Sequence, residues 1–258
     1  MSAIIIPRRH YTQPQGRVRL SPDAQDKLAF AFEASQGLIN LVDGSPLRID
    51  IDSPPVFDAA PYGVAVGRGA SAVKLVAPIE VSRSNVSISI LGRGVGGAGW
   101  YVRAVDVYGG FYGTGHGTGP TFRPTVKIAG VETFRGYGSG ANDHTLMTNT
   151  YDGTTVQEYY QGDQSNLPST PTVGGDFDKM HSNVELWLHG ASAQCGIALV
   201  HKYAISREEY RELYINPWQL FRADPIRIYS LPSGPITLGT PIISNITASG
   251  FRVSVGLT

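Results

Sequence analysis

The chain has 258 residues, 41% of them hydrophobic, which is enough to close a large core without disulfide or metal staples. Lysine plus arginine and aspartate plus glutamate number 21 each, which excludes a general electrostatic pull toward nucleic acid or an anionic membrane. A single cysteine, Cys195, excludes an internal disulfide and fits folding in a reducing compartment.

The first elements are irregular. "MSAIII" is stopped by Pro7, Arg8 and Arg9 and is too short for a signal sequence or a membrane span. Arg8, Arg9, Arg17 and Arg19 all precede the first carboxylate, with the polar "HYTQPQG" between the pairs. Residues 1–22 therefore read as a basic arm, either solvated or ordering on a partner through these four arginines.

Short β-prone runs then recur along the chain: "KLAFAFEA" (27–34), "PLRIDID" (46–52), "YGVAVG" (62–67), "SAVKLVA" (71–77) and "NVSISI" (85–90). They continue with "WYVRAVDV" (100–107), "PTVKIAGV" (124–131), "DHTLMTNTYDGTTVQEYYQG" (143–162), "NVELWLHG" (183–190) and "CGIALVHKYAI" (195–205). Gly, Pro, Ser, Asn and Asp punctuate them, the pattern of an all-β sandwich or barrel. Leu28, Phe30 and Phe32 alternate with alanines and predict one bulky strand face. Asp152-Gly153 between two β-prone arms predicts a tight hairpin.

One helix stands out. Ser206 and Glu209 form the S-x-x-E capping box, Tyr210, Leu213 and Tyr214 make an apolar stripe, and Pro217 ends it. Beyond it, residues 231–236 are a Pro/Ser/Gly linker, and the remainder offers two β arms too short to bury a sheet face of their own. The expected organisation is an arm over 1–22, a sandwich over 23–230 and a linker with a partial β segment over 231–258.

Gly92, Gly94 and Gly97 stand at the G-x-G-x-x-G spacing of a dinucleotide-binding turn. That turn needs a helix after it, and Trp100, Val102, Val105 and Val107 follow no helical stripe. The glycines therefore read as a loop between strands, and Cys195, inside an apolar strand-like run, reads as a packed thiol. No Ser/His/Asp elbow or zinc spacing of histidines is present, and Asp50 and Asp52 read as a solvated strand face. Trp100, Tyr101, Tyr108, Phe111, Tyr112 and His116 are interleaved with glycines. Two readings stay open for them: aromatic faces for the apolar side of a sugar ring, or packing against a neighbouring subunit.

The stretch "NVELWLHGASAQCGIALVHKYAISREEYRELYINPWQLF" (183–221) carries a resemblance. Its strand, short helix and Asn216-Pro217-Trp218-x-x-Phe221 ending, with "TYDGTTVQEYYQGDQ" upstream, resemble the concanavalin A-like, laminin-G-like jelly rolls of bacteriophage tail and other virion proteins. The likeness spans about 27–222 and lapses in the glycine-rich middle. It implies an all-β jelly-roll sandwich with one short C-terminal helix, an extended N-terminal arm and a closing segment similar to the start of an Ig or fibronectin type III domain. The implied function is a non-enzymatic virion structural protein of tail, baseplate, fibre or capsid, made in the bacterial cytoplasm and docked in a multimer on other virion proteins. The alternatives are a glycan-binding adhesin that meets the host-surface glycan, and a polysaccharide depolymerase. No cofactor, nucleic acid or membrane insertion is expected. Related lectins shape their sugar loop with calcium, and Asp176, Asp178 and Asn183 are the local counterpart.

Overall fold

The computed structural model describes residues 13–14, 16–49, 54–67, 73–79, 85–93, 100–106, 109–115, 122–128, 131–134, 144–160, 162–164, 183–188, 194–223, 242–247 and 250–254. The chain divides into two compact units, Met1–Asp224 and Pro225–Thr258. In the first, the strands are β1 Val18–Leu20, β2 Leu28–Glu33, β3 Arg48–Ile49, β4 Val56–Ala60, β5 Gly63–Gly67, β6 Val73–Pro78, β7 Val86–Arg93, β8 Trp100–Asp106 and β9 Gly109–Gly115. They continue with β10 Phe122–Ile128, β11 Val131–Phe134, β12 Thr145–Tyr151, β13 Val156–Tyr160, β14 Asp163–Gln164, β15 Asn183–Leu188, β16 Gln194–His201 and β17 Phe221–Ala223. The helices are α1 (Pro22–Lys27) and α2 (Arg207–Ile215). In the second unit β18 (Ile242–Thr247) and β19 (Gly250–Ser254) pair as an antiparallel hairpin.

A seven-stranded sheet, β11-β10-β9-β8-β15-β6-β3, faces an eight-stranded one, β14-β13-β12-β7-β16-β5-β4, in which β2 also pairs with β16. Phe30, Phe32, Ile88, Ile90, Met147, Leu75, Leu186 and Leu188 form the core between them. The far face of the eight-stranded sheet is buried as well. Leu91, Leu146, Ile197 and Leu199 pack there under Ala24 of α1, Tyr210 and Leu213 of α2, and Trp218 and Phe221. A sheet covered on both faces explains why "IALV" runs apolar without alternation. Ser87, on this second face, is satisfied by the loop before α2: its Oγ donates to the Tyr203 carbonyl and accepts from the Ile205 N–H, both at 2.8 Å.

Two bulges set the parity. Cys195 pairs with Gly92 and Ile197 with Leu91, so Gly196 is left over and Cys195 and Ile197 face opposite cores. Phe30 pairs with Val200 but Leu28 with His201. Leu28 therefore joins the second core instead of sharing a face with Phe30 and Phe32, as strict alternation predicts.

The predicted hairpin forms on Asp152. Gly153 adopts φ 89°, and the Asp152 carboxylate accepts from the Thr154 and Thr155 N–H groups at 2.9 and 2.6 Å. The capping box forms on α2 too, with Ser206 Oγ accepting from the Glu209 N–H and Glu209 Oε2 from the Ser206 N–H. Asn216 then caps a 3-10 turn, Pro217–Leu220, that seats Trp218 and Phe221 in the second core. That is the structural content of "NPWQLF".

Part of the predicted basic arm is built into this unit. Val18 and Leu20 are buried in β1, which pairs with β17, and Ser21 caps α1. Gln13 is buried between Val64 and Glu33. Helix α1 has no counterpart in the sequence reading; Ser21, Pro22 and Asp23 are its cap and first turn.

Candidate functional site

The outer face of the seven-stranded sheet is defined from β15. Val184, Leu186 and Leu188 are buried in the sandwich core, which assigns positions 183, 185 and 187 to the opposite face. Backbone register extends that face across the sheet without a shift. Trp187 is opposite Lys74 on one side and Tyr101 on the other, Tyr101 is opposite Thr114, and Thr114 is opposite Arg123. A second row, about 7 Å along the strands, runs Arg48, Val76, Glu185, Arg103, Tyr112 and Thr125. Among the described helices, α1 and α2 pack on the other sheet.

The sequence-predicted aromatic residues are divided by this register. Tyr101 and Tyr112 fall in the two outer rows. Trp100 is opposite Leu188, and Phe111 is opposite Ala104, which is opposite Val184, so both take inner-face positions. Tyr108 and His116 lie outside the described residues. Of the arginines assigned to docking, Arg17 and Arg19 are exposed beside and within β1, and Arg8 and Arg9 lie outside the described residues. Asp176 and Asp178 also lie outside them, while Asn183 opens β15, half-buried and opposite Pro78 and Val105. Among the described residues no group of three His, Cys, Asp or Glu is close enough to hold a metal. Gly92 ends up in β7 and the next described element is strand β8, so the glycine spacing opens no phosphate-binding helix.

Sequence reasoning missed Trp187, Glu185 and Arg103. The signal was present in "NVELWL", where the apolar residues take every second position and leave Glu185 and Trp187 together on the other face.

A second feature lies on the far side of the molecule. A cavity of about 80 Å³ opens beneath α2, lined by Lys27, Leu28, His201, Tyr203, Glu209 and Leu213 among others. His201 is 3% exposed and its Nδ1 has no hydrogen-bond partner among the described residues. Burial holds its pKa down at about 4, with Lys27 adding to the shift and Glu209 opposing it, so the imidazole is neutral at pH 7. Desolvation works against the Glu209 carboxylate, yet the Ser206 N–H and the Tyr203 hydroxyl, 2.7 Å away, hold its pKa below the ordinary value. Cys195 is fully buried, and desolvation pushes its thiol far up, which removes it as a nucleophile.

No family model matches the chain, and no curated protein matches it. Solved structures do. Domain 4 of an extracellular arabinanase from Geobacillus stearothermophilus, in complex with arabinotriose, superimposes with TM-score 0.57 at 12% identity over 73% of this chain and 98% of that one. The fold is an all-β jelly-roll sandwich. A botulinum neurotoxin type C structure, whose cell entry depends on two ganglioside molecules, matches with TM-score 0.55 at 11% identity over 74% of this chain and 51% of that one. The binding domain of botulinum neurotoxin DC in complex with SialylT gives the same score, identity and coverages. The chain thus spans about half the length of the toxin chains it matches. No described helix is long and apolar enough to cross a membrane.

Proposed function

We propose that this chain is a carbohydrate-recognition module that binds glycan along the outer face of the seven-stranded sheet. The observation that carries the reading is the pair of adjacent rows in which the positions of Trp187, Tyr101 and Tyr112 lie among charged and hydroxylated ones, with Val76 the apolar exception. Aromatic rings stack on the apolar face of a sugar while neighbouring polar groups take its hydroxyls, and a flat sheet offers several such positions along one chain. Sugar complexes of the arabinanase domain and of the toxin binding domain support the choice of ligand class. Recognition without catalysis is the reading, and unchanged polysaccharide length after incubation is its check.

The setting we propose is a bacteriophage particle, on the likeness of the "NPWQLF" end to virion jelly rolls, with the module serving assembly or attachment to the host surface. Detection of the chain in purified particles by antibody tests the setting independently of the ligand. The ligand is tested with a glycan array and whole-cell binding of the purified chain, with and without calcium. Saturable binding that is weakened by Trp187→Ala supports the reading. Binding to no glycan in either condition overturns it and leaves a structural module.

A further inference from the structure

We infer that the glycan taken by this face is an acidic polysaccharide, a step that rests on the glycan reading above. The chain as a whole is charge-balanced, but the outer-face positions are not. Register puts Arg48, Lys74, Arg103 and Arg123 in the two rows, and Lys127 follows two positions on from Thr125 in β10. Against them stand Glu185 in the middle of the sheet and Glu132, opposite Lys127 near its edge. The strand "FRPTVKI" separates the classes: Phe122, Pro124, Val126 and Ile128 occupy one face, and Arg123, Thr125 and Lys127 the other.

The spacing narrows the ligand further. Arg103 and Arg123 stand two strands and two residues apart, about 12 Å by sheet geometry, so the positive positions are spread over the face and not gathered at one point. Each guanidinium would take its own carboxylate or sulfate, in the two-pronged geometry that arginine offers and lysine does not. A polymer with one acid group per sugar or per repeat meets that requirement, with its rings lying over the aromatic positions between. Single-stranded nucleic acid is the competing polyanion, and an oligo-dT probe separates it from an acidic polysaccharide.

The test uses the whole chain and probes of matched backbone. Polygalacturonate, hyaluronan and polysialic acid are the acidic probes; methyl-esterified polygalacturonate and dextran are the neutral ones; oligo-dT is the nucleic acid. Binding to at least one acidic polysaccharide is expected, weakening with salt, with esterification and Arg103→Gln or Arg123→Gln each lowering affinity about tenfold. Melting temperatures of the variants are measured alongside, and Lys74→Gln and Lys127→Gln replace any variant that unfolds. Equal binding of neutral and acidic probes overturns the inference and leaves the glycan reading standing. Binding to no polysaccharide of either charge overturns both. Oligo-dT binding as tight as the best acidic polysaccharide in the same salt overturns the inference in favour of a general polyanion surface. Charge-dependent binding that all four variants leave unchanged overturns it too, by moving the site to another face.

Discussion

The ring of Tyr62 lies against the backbone of Gly196, so closely that a Cβ on the glycine would meet ring atoms Cε2 and Cζ at 2.6 Å. Gly196 is also the bulge residue that sends Cys195 and Ile197 to opposite cores. One missing side chain thus serves both strand parity and the seating of an aromatic residue between His144, whose Nδ1 is 3.1 Å from the Tyr62 hydroxyl, and Trp218. Burial raises the Tyr62 pKa well above its ordinary value, so the phenol is neutral across the physiological range.

Gly196→Ala is accordingly expected to destabilise the sandwich by about 1–3 kcal/mol through overpacking. Denaturant midpoints measure it, and in a Tyr62→Leu background the same substitution should cost less, because the colliding ring is gone. Equal costs in both backgrounds would mean the strain lies in the bulge itself.

The capping box gives a second expectation. Ser206→Ala removes one N-cap acceptor and should cost about 1 kcal/mol. Glu209→Ala should cost more than that, since Glu209 also accepts from the Ser206 N–H and from the Tyr203 hydroxyl. Both substitutions lie on the sheet opposite the proposed glycan face, so thermal melts should shift while glycan affinity stays the same.

His201 makes stability depend on pH with a definite sign. Its folded pKa is about 4 against an ordinary 6.5, so the folded state resists the proton that the unfolded chain accepts. Its contribution is complete above pH 6.5, falls as pH drops from 6.5 toward 4, and changes little below that. The full loss is on the order of 3 kcal/mol. Glu209, whose pKa is depressed, gives up its own contribution further on the acid side. His201→Gln should flatten the slope between pH 6.5 and 4 in a pH series of urea melts, whatever it does to stability at pH 7. An unaltered slope would assign the acid sensitivity to other groups.

Legibility from the sequence followed the amount of local signal. The hairpin at Asp152, the capping box at Ser206 and the alternating strands β7 and β15 are each specified by residues within a few positions of one another, and all of them form. Strand β9, "GGFYGTG", was not visible, because glycine has low strand propensity and the strand exists through its pairing with β8 on one side and β10 on the other. The bulges at Gly196 and Ala29 were invisible for the same reason: a one-residue slip is set by the partner strand. The aromatic set was found as a composition, but its division between faces needed register. Trp187 stands in a strand whose pattern marks it as β-prone and groups it with Glu185, but nothing local distinguishes that face from the core face without the partner strands.

That division provides the sharpest separation of binding from packing, since Phe111 and Tyr112 are neighbours on β9 and take opposite faces. Tyr112 shares its outer row with Arg103 and Glu185, whereas Phe111 is opposite Ala104, on the side of Val184. Tyr112→Ala should weaken glycan binding by about tenfold, the value of a lost aromatic contact of roughly 1–1.5 kcal/mol, with a melting temperature near that of the parent. Phe111→Ala should behave in the reverse way, with a stability loss of up to about 3–5 kcal/mol if the position is fully packed, and affinity retained in the fraction that folds. Tyr101→Ala and Trp100→Ala repeat the comparison one strand away, with Tyr101 in the outer row and Trp100 opposite Leu188. Isothermal titration on the folded variants and calorimetric melts on all four decide the matter. If Phe111→Ala and Tyr112→Ala lose stability alike and neither changes affinity, the aromatic positions serve packing, and the glycan face is not on this sheet.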